Sequence, residues 1–198
     1  MRSRVSAALA LLSTVLVFGA SAQAQQPPAG GRGPALVPLT IESSAFPDGG
    51  VVPGKYSMAG GNTQPGFKIT NAPANVQTYA VIFHDLDVAI GGNPDDVLHW
   101  VVWNIPGTST GLPEGVMPVA ELPDGTRQVS LRAAGYMGPG APATGPYHHY
   151  TFELYALDTK IDVPPGTPQE AANTRAAVMK AVDGHALGKA VIVGRFHQ

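Results

Sequence analysis

Three stretches of this sequence gather side chains able to hold, donate or accept protons. The run "YAVIFHDLDVA" ends near Asp85 and Asp87, "VLHWVVWNIPG" carries His99 ahead of two tryptophans, and "YHHYTFELYAL" brings His148, His149 and Tyr150 directly behind the loop "GPGAPATG". Such carboxylates and imidazoles suit three chemistries: general acid and base catalysis, metal ligation, or capture of an anion by N–H and O–H donors. An acid–base enzyme would use His99 and His148, with Asp85 orienting one ring. That reading is weaker than binding, because no nucleophile is evident and the chain has no cysteine. Asp85, Asp87, His99 and His148 are all metal-ligand types, but no ligand pair shares a helical face and adjacent His148 and His149 diverge in a strand. No metal and no cofactor are expected.

These residues must be carried by strands, since the chain is a series of short apolar runs, rich in β-branched and aromatic residues, separated by Gly, Pro, Asn and Asp. Side chains alternate faces along a strand. His148 and Tyr150 then share a face with Phe152 and Leu154, while His149 joins Thr151, Glu153 and Tyr155 on the other. By the same alternation Asp85 and Asp87 lie with Tyr79, Val81 and Phe83, and His99 lies with Val101 and Trp103, opposed by Trp100, Val102 and Asn104. One helix is predicted. Thr167-Pro168-Gln169-Glu170 combines an N-cap, a first-turn proline and a capping-box glutamate, and Ala172, Ala176, Val178, Met179 and Val182 recur at helical spacing until Asp183-Gly184. Its expected place is over a sheet edge or end, before "AVIVGRF" returns as a final strand.

Arg2 and Arg4 precede the apolar run Val5 to Ala20, and Ala22-Gln23-Ala24 supplies small residues at a cleavage site. Residues 1–24 are therefore expected to be a signal peptide cleaved after Ala24, with the run too short to span a bilayer. Residues 25–35, rich in Gln, Pro and Gly, read as a flexible linker, and 36–198 as one domain with a sizeable core. The expected location is periplasmic or secreted. Removing residues 1–24 takes away two arginines and no acid, leaving 10 basic against 14 acidic residues and a formal charge of -4. No basic face for nucleic acid is implied. Without cysteine there are no disulfides, so burial of apolar surface must hold the domain together.

"HDLD" followed by "LHWVVWNIPG", and some 50 residues later "GYMGPGAPATGPYHHYTFELYALD", resemble the two signature regions of the phosphatidylethanolamine-binding protein family, the Raf-kinase-inhibitor-like proteins, especially their secreted bacterial branch. The resemblance runs from about Phe46 to Phe196. It implies a mainly β, antiparallel sandwich-like fold with a C-terminal α-helix and a final strand, and a small end pocket for phosphate, acetate or a phospholipid headgroup. On that similarity Asp85, Asp87, His99, His148 and Tyr150 are ligand-binding residues, Gly138 and Pro139 with Pro142 form the rim, and imidazole N–H groups of His99 and His148 donate to the anion. Leu86 stands where the family has proline, and His149 where it has arginine. The expected partner is a small anionic ligand, phosphate or a phosphorylated headgroup, with peripheral lipid contact compatible and no protein partner identified. A third reading, an inhibitor-like interaction protein, would use surface loops such as "GTSTGLPEGVMP".

Overall fold

The apolar run of β4 (Thr78–Asp85) is buried at all eight positions, as a strand covered on both faces must be. The computed structural model describes residues 38–89 and 94–198, all within the unit Leu36–Gln198. The expected signal peptide and linker lie outside the described residues. β4 sits inside a six-stranded sheet whose order is β2 (Gly50–Val51), β9 (Ala186–Phe196), β8 (His148–Leu157), β4, β5 (Val97–Pro106) and β7 (Arg127–Val129). Neighbours are antiparallel except β2, which runs parallel to β9. A second, antiparallel sheet of three short strands, β1 (Thr40–Ser43), β3 (Phe67–Thr70) and β6 (Gly111–Leu112), completes the sandwich. The expected mainly β architecture with a late helix and a final strand is the one observed.

Two cores follow from strand alternation. Tyr79, Val81 and Phe83 join Trp100, Val102, Phe152 and Leu154 against Ile41, Phe67 and Ile69 of the smaller sheet. Phe83 stacks on Phe152 at 3.9 Å between ring centroids. On the other face Ala80, Ile82, Val101, Trp103 and Leu157 meet Ala171, Val178 and Val182 of α1 (Ala171–Val182). The helix thus covers the outer face of the larger sheet, at β5, rather than the edge or end expected from sequence. Its apolar positions recur over three turns, and only a broad apolar face can bury such a stripe. Its start is as the residues predict: Pro168–Glu170 form a 3-10 turn, and the Glu170 carboxylate accepts the Thr167 N–H at 3.0 Å and the Thr167 hydroxyl at 2.9 Å.

β5 departs from simple alternation twice. Its partners on β4 run Phe83 to Trp100 and then His84 to Leu98, so His99 is an extra residue. A bulge of this kind turns the strand and re-aims the side chain. His99 consequently faces Phe83 and Tyr150, not the Val101 and Trp103 side that unbroken alternation assigns to it. The second irregularity falls between the Tyr79–Ile105 and Val81–Val102 pairs, where Asn104 has φ 59°. Asparagine tolerates this left-handed region. Its side chain repays the break by bonding both backbone groups of Ile161, donating to the carbonyl at 2.9 Å and accepting the N–H at 2.8 Å.

Candidate functional site

Asp85 ends β4, His148 begins β8, and the bulged start of β5 supplies His99, so three neighbouring strands deliver polar side chains to one end of the larger sheet. A cavity of about 260 Å³ lies there, lined by Asp85, His99, Pro142, His148 and Tyr150, with Met58, Leu131, Arg132, Gly140 and Ala141 among the other walls.

Asp85 is only 3 % exposed and both its oxygens are engaged. Oδ2 lies 2.8 Å from His148 Nδ1, and Oδ1 accepts the Asp87 N–H at 2.9 Å. A carboxylate can only accept, so Nδ1 of His148 carries the proton in this contact and Nε2 is the nitrogen left for a ligand. Tyr150 faces Asp85 across the β4–β8 ladder. Its hydroxyl oxygen accepts backbone N–H groups of Gly140 at 3.2 Å and Ala141 at 3.0 Å, tying the glycine-rich loop to the strand. Burial, then the nearby Asp85 carboxylate, pushes the phenol far above its ordinary value. The hydroxyl keeps its proton and is a donor.

His99 behaves differently from the expectation that it donates to an anion. Its Nδ1 sits 3.0 Å from the carbonyl oxygens of both Met137 and Gly138. Carbonyls only accept, so Nδ1 carries the hydrogen. Burial lowers the imidazole below its usual value, outweighing the two carbonyls and Asp85, which raise it. The ring is therefore neutral at pH 7, and Nε2 offers a lone pair. The cavity combines acceptors, Asp85 and His99 Nε2, with donors, Tyr150 and His148 Nε2–H when that ring is protonated.

The remaining expected residues stand outside the lining. Gly138 and Pro139 lie one layer behind it: Gly138 N–H donates to Asn62 Oδ1 at 2.7 Å, and the Pro139 carbonyl accepts Met58 N–H at 3.0 Å. A Cβ on Gly138 would come within 2.2 Å of the Tyr56 carbonyl oxygen, so only glycine allows this approach. Asp87 turns to the exterior and holds His149, accepting its backbone N–H at 2.5 Å with its ring Nδ1 3.1 Å away. Partial burial raises its carboxyl, but these His149 contacts bring it below the ordinary range. His149, at the position where the resemblance leads one to expect arginine, pairs with the Asp87 carboxylate on the face away from Tyr150.

Sequence reasoning passed over Met58 and Arg132, both in irregular segments with no periodicity or motif to mark them. It also passed over Ser109, which stands in Gly107-Thr108-Ser109-Thr110-Gly111, the spacing of a nucleophile elbow. That turn joins β5 to β6 rather than a strand to a helix, and it lies at the end of β5 far from His99. No histidine is among the described residues lining the groove that Ser109 borders. The loop "GTSTGLPEGVMP" flanks a groove of about 390 Å³ at the same far end, lined by Leu112, Val116 and Met117. A larger groove of about 710 Å³ runs between α1 and the start of β5 and shares Val97 and Leu131 with the cavity. Its main charges are already matched, with both guanidinium nitrogens of Arg175 bonded to Asp96 and Asp96 Oδ2 2.5 Å from His84 Nδ1. Among the described residues no group of three or more His, Cys, Asp or Glu is arranged to hold a metal ion, and no helix is long and apolar enough to cross a membrane.

Comparison with known proteins finds relatives of this chain in sequence and in fold. Residues 42–197 match the family model described as phosphatidylethanolamine-binding protein. A UPF0098 protein of Methanothermobacter thermautotrophicus is 37 % identical over 163 residues, covering 81 % of this chain and 99 % of that protein. LppC, a candidate lipoprotein of Mycobacterium tuberculosis, is 36 % identical over 166 residues, covering 82 % of this chain and 74 % of its own. Among solved structures, Escherichia coli YbcL superposes with a TM-score of 0.68 at 27 % identity, covering 82 % of this chain and 99 % of that one. CT736 from Chlamydia trachomatis gives the same TM-score at 26 % identity, covering 81 % and 98 %.

Proposed function

Because this chain belongs to the phosphatidylethanolamine-binding protein family, we propose that its end cavity binds a small phosphorylated anion, free or as a lipid headgroup, and that the protein is a binding module rather than an enzyme. The observation that carries this reading is the convergence of Asp85, His99, His148 and Tyr150, from three strands, on a single cavity of about 260 Å³. That volume lies just under the usual range of roughly 300–1,000 Å³ for small-molecule sites. A headgroup fits such a space and a whole lipid does not. The mixture of acceptors and donors favours a ligand that brings both kinds of group. Phosphoethanolamine does so, with ammonium hydrogens for Asp85 or His99 Nε2 and phosphate oxygens for Tyr150 and His148. Hydrogen phosphate does so through its own hydroxyl. The basic and apolar N-terminal segment and the likeness to LppC support export of the protein to the periplasm or beyond.

The test is calorimetry and thermal unfolding with inorganic phosphate, with soluble phosphoethanolamine, and with phosphatidylethanolamine vesicles. Protection by the two soluble ligands, weakened at least about tenfold in Tyr150→Phe or His148→Ala, is the expected result. Vesicle binding stronger than the soluble headgroup explains would assign the lipid as the source of the ligand. Absence of any saturable binding by all three would refute the reading.

A further inference from the structure

We propose that Arg132 is the residue that makes the cavity select anions, an inference that rests on the anion-pocket reading. The lining contains five ionisable side chains: Asp85, His99, Arg132, His148 and Tyr150. His99 is neutral, since its Nδ1–H is spent on the Met137 and Gly138 carbonyls and the ring is buried. Tyr150 keeps its proton and is neutral. Asp85 and His148 form a pair whose combined charge is zero if the imidazole is protonated and negative if it is not. Without Arg132 the lining therefore carries no net positive charge, and for a bound anion the Asp85 carboxylate is at best cancelled by a protonated His148. Asp85, His99, His148 and Tyr150 supply hydrogen bonds and shape. They do not supply net positive charge.

Arg132 is positioned for that part. It lies on the turn that follows β7, and fully buried Ser130 ties this turn together. Ser130 N–H donates to the Ala133 carbonyl at 2.9 Å, its hydroxyl donates to the same oxygen at 3.1 Å, and that hydroxyl accepts the Ala133 N–H at 3.1 Å. Leu131 and Arg132 are thus held at the tip, against the cavity. Several other cations of the domain are matched: Lys55 with Glu114, Arg127 with Glu121, Arg175 with Asp96 and Lys189 with Glu153. Among the described residues Arg132 forms no hydrogen bond or ion pair. Its exposed guanidinium is free to close on a phosphate oxygen through two N–H groups, a geometry that lysine reproduces only as a point charge.

Calorimetric titration with inorganic phosphate decides this, using wild type, Arg132→Gln and Arg132→Lys, each at low and high salt. Melting temperatures of the unliganded proteins should coincide, because the exposed Arg132 side chain makes no internal polar contact among the described residues. The expected result is a loss of about tenfold or more in affinity for Arg132→Gln, at most about threefold for Arg132→Lys, and a salt dependence that disappears in Arg132→Gln alone. Wild-type binding with Arg132→Gln within about twofold and an unchanged salt dependence overturns this inference and leaves the anion pocket standing. An equal loss in the lysine and glutamine variants, with salt dependence retained, also overturns it, assigning the effect to the shape of the turn. No phosphate binding by the wild type removes both readings.

Discussion

Replacing Tyr150 with phenylalanine removes one oxygen and tests how the pocket is held together. That oxygen accepts the N–H groups of Gly140 and Ala141, and Tyr150 itself is 1 % exposed. In the variant the ring still fills its place, so the cost is the desolvation of two donors that lose their partner. An unsatisfied buried donor costs about 1–3 kcal/mol. Ala141 is buried and bears the full cost, whereas Gly140 is half-buried beside the cavity and recovers part of it from water. A total of about 2 kcal/mol follows, which for a domain of this size lowers the melting temperature by about 4–8 °C. Urea unfolding gives the free energy, and amide hydrogen exchange at Gly140 and Ala141 locates it. Both amides should exchange faster while amides of β4 keep their protection relative to the new global stability.

The same phenol makes a pH prediction whose sign is fixed by burial. Its pKa is raised in the folded state, so its contribution is complete below the unfolded value of about 10 and is lost as pH rises beyond it, when only the unfolded chain ionises. Tyr136, raised for the same cause, stays in the variant, so the alkaline loss of stability should become shallower in Tyr150→Phe but not vanish. A destabilisation under about 0.5 kcal/mol, with unchanged exchange at both amides, would refute the reasoning, since it would mean that the loop does not depend on this hydroxyl.

His99 should appear by nitrogen NMR at pH 7 as a neutral ring protonated on Nδ1. Its lowered pKa means stability is retained above the unfolded value of about 6.5 and lost as pH falls below it, so His99→Gln should flatten the stability profile between about pH 6.5 and 5. Asp96 is pushed up by burial but carried below its ordinary range by Arg175 and His84. Asp96→Asn should cost about 1–3 kcal/mol at pH 7 by denaturant unfolding, and the variant should lose less on acidification through the carboxylate range. Gly138→Ala drives a methyl group into the Tyr56 carbonyl, and a cost of about 1–3 kcal/mol in urea should accompany weaker phosphate protection.

Period and capping made most of the fold legible. Thr167, Pro168 and Glu170 marked the helix start because capping is a local matter of spacing, and β4 and β8 kept strict alternation, so the shared face of His148, Tyr150, Phe152 and Leu154 could be read directly. The position of the helix could not, because which surface an apolar stripe covers depends on the whole sheet. The smaller sheet was faint in the sequence, since its strands are two to four residues long. Asn104 did carry a signal, as asparagine is among the few residues at ease with positive φ. Arg132 carried none: a loop arginine becomes meaningful only when the turn that holds it is seen against the cavity.

The bulge at His99 explains how one strand serves both a core and a pocket. With strict alternation, a β5 that directs Trp100 and Val102 into the sandwich would turn His99 toward α1, among Val101 and Trp103. A single extra residue lets Leu98 and Val101 stay on the helix side and Trp100 and Val102 stay between the sheets, while His99 swings to the Phe83 and Tyr150 side. The Met137 and Gly138 carbonyls then fix the ring through Nδ1. Those carbonyls belong to the same loop whose Gly140 and Ala141 amides bond Tyr150, so the loop grips both β5 and β8 at the end where Asp85 emerges from the strand between them. A ligand that moves this loop must therefore disturb His99 and Tyr150 together. Chemical shifts of the two rings should respond in concert to phosphate, with Asn104, at the other end of the same strand, unmoved.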